Sequence, residues 1–279
     1  MGPRLFGIPA TDAPVVAVIR RGPSGWSHVG RWDVRAGTYE PGAWTRGTLY
    51  PQRCDLSPDG RYLVYFVMKV TAGWAPGGTY IAVSRLPWLT ALAAWGTDGT
   101  WTRGLAFVPR GTARYPPGPP EQGDAAPLLR RWALDNRRAA SYAIERTRGW
   151  TETADSPPPE TRGAWDELGA ERITMEKARP GEPGTTLRVR GWYAAHRGGE
   201  PGRGPARYSL AAGGPGAAER PLNGLQWADW AADGRLLVAT TSGELQVRED
   251  PHDARPSWTA DLAAMTPDPR PAPPWASGW

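Results

Sequence analysis

Two stretches of this chain, Cys54 to Val67 and Trp227 to Thr240, carry the same unit: an Asp-Gly-Arg triplet (Asp59-Gly60-Arg61 and Asp233-Gly234-Arg235) followed at once by an apolar run. The Gly of an Asp-Gly pair supplies the positive φ that a tight hairpin turn needs, and the run beyond it reads as the strand leaving the turn. A chain that repeats a strand-turn-strand unit folds by setting like sheets beside one another, because one hairpin cannot shield its own apolar faces. The repeat therefore predicts an all-β protein.

Composition points the same way. The 35 Gly and 31 Pro suit many short strands joined by turns and disfavour long helices. At 279 residues the chain can bury a sizeable core as one large all-β domain. Its net charge is +5, and all the basic side chains except Lys69 and Lys177 are arginine. These arginines are interspersed with Asp and Glu, whereas phosphate binding calls for clustered positive charge, so nucleic acid is not the expected ligand. Cys54 is the single cysteine, which leaves no intrachain disulfide and favours a cytoplasmic protein. No run approaches the ~20 apolar residues of a membrane helix. The apolar run from Ala13 to Ile19 is too short and too late for a signal peptide.

Local patterns mark several elements. Pro14 to Arg20 and Trp26 to Val34 read as a hairpin about Gly22-Pro23-Ser24-Gly25. Trp132 to Asp135 reads as a strand, and Thr241-Ser242-Gly243 as a turn leading into the strand Glu244 to Glu249. Leu86 to Trp95 admits two readings: a short helix with Pro87 in its first turn and Trp88, Leu92 and Trp95 on one face, or a strand. Tyr115 to Pro120, Ser156 to Glu160 and Gly198 to Pro205 are rich in Pro and Gly and read as exposed loops.

The Ser57-Pro58-Asp59-Gly60-Arg61 turn, together with Trp32-Asp33 closing an earlier strand, resembles the WD-repeat and TolB-type β-propellers. Their blades carry an S-P-D-G-[RK] turn between inner strands and often a Trp-Asp pair ending the third strand. The likeness covers about a third of the chain; in the second copy Arg248-Glu249 stands where the family has Trp-Asp. It implies a propeller of five or six four-stranded blades with long Pro/Gly-rich loops over residues 1–249. The Pro-rich tail, 250–279, would dock on it. Asp59 and Asp233 lie 174 residues apart, four intervals of ~43, near the ~40 to 45 residues of a WD-type blade. Intermediate turns then fall near residues 102, 146 and 190.

Reactive chemistry is sparse. His28, His196 and His252 are widely spaced with no His-x-His pattern, so they read as surface residues and no metal is expected. Cys54 reads as a packed residue, and the Ser57 hydroxyl as a turn hydrogen bond. Asp59, Gly60, Asp233 and Gly234 are assigned to turns rather than to a carboxylate pair. No Gly-x-x-x-x-Gly-Lys occurs, and no cofactor or catalytic residue is assigned.

Asp229 is a binding candidate, since an acid between Trp227 and Trp230 must point outward or find a partner. Sixteen tryptophans give further candidates in Trp88, Trp95 and Trp275, most of the others falling in strand-like runs where packing explains them. Repeat chemistry without reactive chemistry points to a non-catalytic scaffold that binds a protein partner. Two alternatives stay open: an enzyme or small-molecule (for instance carbohydrate) binder using the central channel, and a nucleic-acid binder. The second would use Arg130, Arg131, Arg137 and Arg138 around Trp132.

Overall fold

The computed structural model describes residues 2–22, 25–68, 78–97, 99, 104–136, 142–154, 156, 173–191, 206–212 and 218–279. They fold as five sheets of antiparallel strands. Contacts divide the chain into two compact units, residues 8–138 with 266–279, and residues 1–7 with 139–265.

The first sheet runs in chain order through β1 (Arg4–Pro9), β2 (Val15–Arg21), β3 (Trp26–Asp33) and β4 (Thr38–Arg46). β2 and β3 are the hairpin read from the sequence, registered from Val15↔Asp33 to Arg21↔Ser27. The boundary between the two units falls inside β1.

The rest of the unit 8–138 is built from β5 (Thr48–Leu49), β6 (Asp55–Leu56), β7 (Tyr62–Met68), β8 (Thr79–Arg85), β9 (Ala93–Gly96), β10 (Leu105–Pro109), β11 (Gln122–Gly123), the short helix α1 (Ala126–Leu129) and β12 (Trp132–Asn136). β11, β9, β8 and β7 form one sheet in that order, with both β5 and β6 on the outer edge of β7; β10 and β12 form another. The edge is split because the 3-10 turn Pro51–Arg53 interrupts it, and Pro51 has no N–H to give a ladder.

Side chains alternate across β7, so Tyr62, Val64 and Phe66 share a face with Ile81 and Val83 of β8. Leu105, Phe107, Leu128 and Leu134 close that core. Leu86 to Trp95 forms no helix: Leu92 N–H donates to Val83 O at 2.8 Å, and Ala93–Gly96 pairs with β8 as β9.

In the other unit α2 (Ala143–Arg146) precedes a five-stranded meander of β13 (Thr151–Glu152), β14 (Thr174–Arg179), β15 (Glu182–Arg190), β16 (Arg207–Ala212) and β17 (Glu219–Leu222). A four-stranded one follows, β18 (Leu225–Trp230), β19 (Leu236–Thr240), β20 (Glu244–Arg248) and β21 (Trp258–Asp261). The sheets thus hold four, six, two, five and four strands among the described residues, where the sequence suggested a uniform four. β21 also lies inside the stretch read as an extended tail, where it pairs with β20 from Val247↔Trp258 to Glu244↔Asp261. The loops at 157–160 and 198–205 lie outside the described residues.

Each Asp-Gly turn closes in the same way. Gly60 and Gly234 have φ of 72° and 83°. Gly60 N–H donates to Ser57 O at 2.8 Å and Gly234 N–H to Ala231 O at 3.0 Å. The turn aspartate then accepts from the N–H two residues on: Arg61 N to Asp59 Oδ1 at 3.2 Å, and Arg235 N to Asp233 Oδ1 at 3.3 Å. The Ser57 hydroxyl completes the first turn by donating to Asp59 Oδ1 at 2.7 Å and accepting from Tyr62 N–H at 2.9 Å.

Candidate functional site

Four residues ahead of each turn aspartate stands a second, buried aspartate: Asp55 on β6 and Asp229 on β18, each 3% exposed. Each accepts the N–H of its successor, Leu56 at 3.0 Å and Trp230 at 2.7 Å. Each then engages a neighbouring sheet of its own unit. Asp55 Oδ2 accepts the backbone N–H of Phe107 on β10 at 2.9 Å, and Asp229 Oδ1 accepts from Lys177 Nζ on β14 at 2.7 Å. Trp230 Nε1 adds a bond to Lys177 O at 3.0 Å. The partner that Asp229 required is therefore one of the two lysines, and its carboxylate ties sheets together. Asp55 was missed by sequence reasoning; the signal that would have found it is its fixed offset from the turn.

His28 is wholly buried rather than at the surface. Register sets Arg20, His28 and Trp44 in one row across β2, β3 and β4. A carbonyl only accepts, so His28 Nδ1–H donates to Ala43 O at 3.1 Å, leaving Nε2 to accept from the Tyr39 hydroxyl at 3.1 Å. Tyr39 reaches it by lying over Gly30, where a Cβ would stand 2.0 Å from the phenol oxygen. The Trp44 ring stacks on the imidazole with centroids 4.6 Å apart, and the Arg20 guanidinium sits 5.3 Å from the Trp44 ring centre. Burial, helped by the Arg20 charge and opposed by the bond to Ala43, pushes His28 down to about 4. It is a neutral packing element with both ring nitrogens engaged. His252 is exposed, and His196 lies outside the described residues.

Cys54 is buried and its thiol donates to Tyr50 O at 3.2 Å. Arg131 lies 4.5 Å from the centre of the Trp132 ring and 3.3 Å from the Asp59 carboxylate, which compensates its charge; Arg137 and Arg138 fall outside the described residues. Among the described residues no three His, Cys, Asp or Glu side chains are grouped to hold a metal ion. No helix among them is long and apolar enough to cross a membrane.

The tryptophan candidates part company. Trp95 belongs to the core around Phe66 and Leu105, with Nε1 donating to Gly118 O at 2.8 Å. Trp88 follows β8 at the Tyr62–Arg85 end of the β7–β8 pair, and Trp275 belongs to the 3-10 turn Pro274–Ser277. Tyr62 and Arg85 face each other across the strands, the guanidinium 5.8 Å from the ring centre. Trp279 lies against Tyr62 with centroids 5.5 Å apart, and the 3-10 turn Pro274–Ser277 rests on β8. The Trp88 backbone N–H donates to Arg85 O at 2.8 Å, a turn that closes directly on the end of β8. Arg85 Nε and Trp88 Nε1 are both buried with no acceptor among the described residues, a cost of about 1 to 3 kcal/mol each. Trp275, held out on the docked turn, leaves 49% of its surface in solvent.

Together these elements describe an all-β protein of five antiparallel sheets among the described residues. No protein-family model matches the chain, and no curated protein is detectably similar to it. Among solved structures it is similar to an uncharacterized protein from Listeria monocytogenes EGD-e, at 11% identity and a TM-score of 0.29, over 88% of this chain. The matched region spans 62% of that protein's length.

Proposed function

We propose that the chain is a β-propeller-type binding module without chemistry of its own, which docks a protein partner on the corner formed by Trp275, Trp279, Tyr62, Arg85 and Trp88. The ring reading draws support from two features. The sheets are meanders of antiparallel strands, taken up largely in chain order. The first residues of the chain lie against its last sheet, with Gln226 Nε2 donating to Pro3 O at 3.1 Å. The acids singled out from the sequence serve turns and sheet-to-sheet bonds, which leaves them no reacting group to serve.

The observation that carries the binding assignment is the half-exposed Trp275. Tryptophan and arginine are the side chains that most often dominate protein interfaces, because a flat apolar face with a polar edge gives contact area at little entropy cost. Here the Trp279 indole lies on Tyr62, and Trp275 projects from the 3-10 turn Pro274–Ser277 just before it. The test is co-purification with tagged full-length chain from its native cells. Wild type returns a stoichiometric protein partner, and Trp275→Ala loses it while melting at the same temperature. Undiminished recovery by Trp275→Ala, or turnover of a substrate by the isolated protein, overturns the proposal.

A further inference from the structure

Over residues 266–274 the chain reads Thr266-Pro267-Asp268-Pro269-Arg270-Pro271-Ala272-Pro273-Pro274, so that every residue is a proline or is followed by one. Proline holds its own φ at about −65°, and its ring drives the residue before it out of the helical region into extended backbone. Local chemistry therefore confines the whole stretch to extended backbone and favours polyproline II, a helix with three residues per turn and no internal hydrogen bonds.

The fold agrees. Residues 265–273 belong to no helix or strand, and Pro273 has φ −65° and ψ 156°. The backbone of residues 266–272 makes no hydrogen bond among the described residues. Residues 266–271 and 274 are exposed. Yet the stretch is no loose end. Ahead of it Leu262 is buried, with its N–H on Gly243 O at 2.9 Å. Behind it Ala276 is buried in the 3-10 turn, and Trp279 lies on Tyr62.

A repeat of three puts Pro271 and Pro274 on one ridge, and both are exposed. Arg270 precedes them. It pairs with Asp268, but the two side chains keep 74% and 56% of their surface in water, so the pair yields readily to a carboxylate from elsewhere. The half-exposed Trp275 follows without a break.

We propose that residues 266–274 are a ligand for a groove lined by aromatic side chains in the protein partner. Pro271 and Pro274 seat between its rings, and Arg270 meets an acid at its edge. Because the conformation is set before binding, docking orders little of the chain. This rests on the binding-module reading and names what the partner presents.

The assay is co-purification with tagged full-length chain from its native cells, followed by competition. Pro271→Ala is expected to recover three- to tenfold less partner than wild type. Pro271→Ala with Pro274→Ala recovers at least tenfold less while melting at the wild-type temperature; should it melt lower, Pro271→Ala alone is read. Pro119→Ala, at an exposed proline of another loop, is expected within twofold of wild type. A synthetic peptide of residues 266–274 displaces the partner, and the same peptide carrying Pro271→Ala and Pro274→Ala does not. Added to isotope-labelled partner, the peptide shifts the ring-proton resonances of aromatic side chains.

Full recovery by the double variant, an equal loss in Pro119→Ala, or displacement by the substituted peptide overturns the proposal. Unmoved ring resonances overturn the aromatic groove. A partner lost on Trp275→Ala but kept by the double proline variant spares the module reading and sinks this one. A partner kept by Trp275→Ala but displaced by the peptide keeps this segment and sinks the corner, and a wild type that recovers no partner sinks both.

Discussion

Replacing Asp229 by alanine tests whether the buried acid four residues ahead of a turn holds sheets together. The substitution strips Lys177 Nζ of the carboxylate oxygen 2.7 Å away and Trp230 N–H of its acceptor. Removing one partner of a buried ion pair costs about 3 to 5 kcal/mol, and an orphaned backbone donor about 1 kcal/mol or more. The Lys177 side chain keeps 17% of its surface in water, which offsets part of this, so about 3 kcal/mol is expected. For a chain of 279 residues that lowers the melting temperature by roughly 5 °C.

Thermal unfolding followed by circular dichroism measures it, with Glu182→Ala as comparator, because Glu182 pairs with Arg179 while 58% exposed and is worth less than about 1 kcal/mol. The double variant Asp229→Leu with Lys177→Met removes both charges and their desolvation cost, and is expected within about 1 kcal/mol of wild type. An Asp229→Ala protein no less stable than Glu182→Ala, or a double variant no better than the single one, refutes the reasoning.

His28 makes stability depend on pH. The unfolded chain binds a proton at the imidazole near 6.5 and the fold only near 4, so between these values the unfolded state holds more protons and stability falls as pH is lowered. About 3 kcal/mol is lost across that window, and His28→Phe should remove this part of a urea-unfolding profile taken between pH 7 and pH 4. Gly60→Ala should cost about 1 to 2 kcal/mol in the same assay, since φ is 72° and a Cβ would stand 2.9 Å from Val15 Cβ. Gly111→Ala, also at positive φ but with nothing within 4 Å, should cost less.

What could be read in advance was local. The Asp-Gly turns and the hairpin of β2 and β3 are set by neighbours in sequence, and they stand where those neighbours put them. The partner of Asp229 could not be named, because Lys177 is 52 residues away on another sheet. His28 was misplaced for a similar reason: its burial depends on Tyr39 crossing Gly30, a contact made through strand register rather than spacing. β21 escaped because Trp258 to Asp261 is short, follows Pro256, and gains its strand character from pairing with β20. Of the candidate corner, Trp88 and Trp275 were legible as unusual residues. That Trp279 lies on Tyr62 was not, since the contact joins residues far apart in sequence.

Site-specific photocrosslinking in the native cells puts the binding role to its sharpest test. With a photoreactive aromatic residue at position 275, irradiation is expected to yield one protein adduct of defined mass, while the same residue at exposed position 35 yields none. No adduct from position 275, or the same adducts from both positions, contradicts the account.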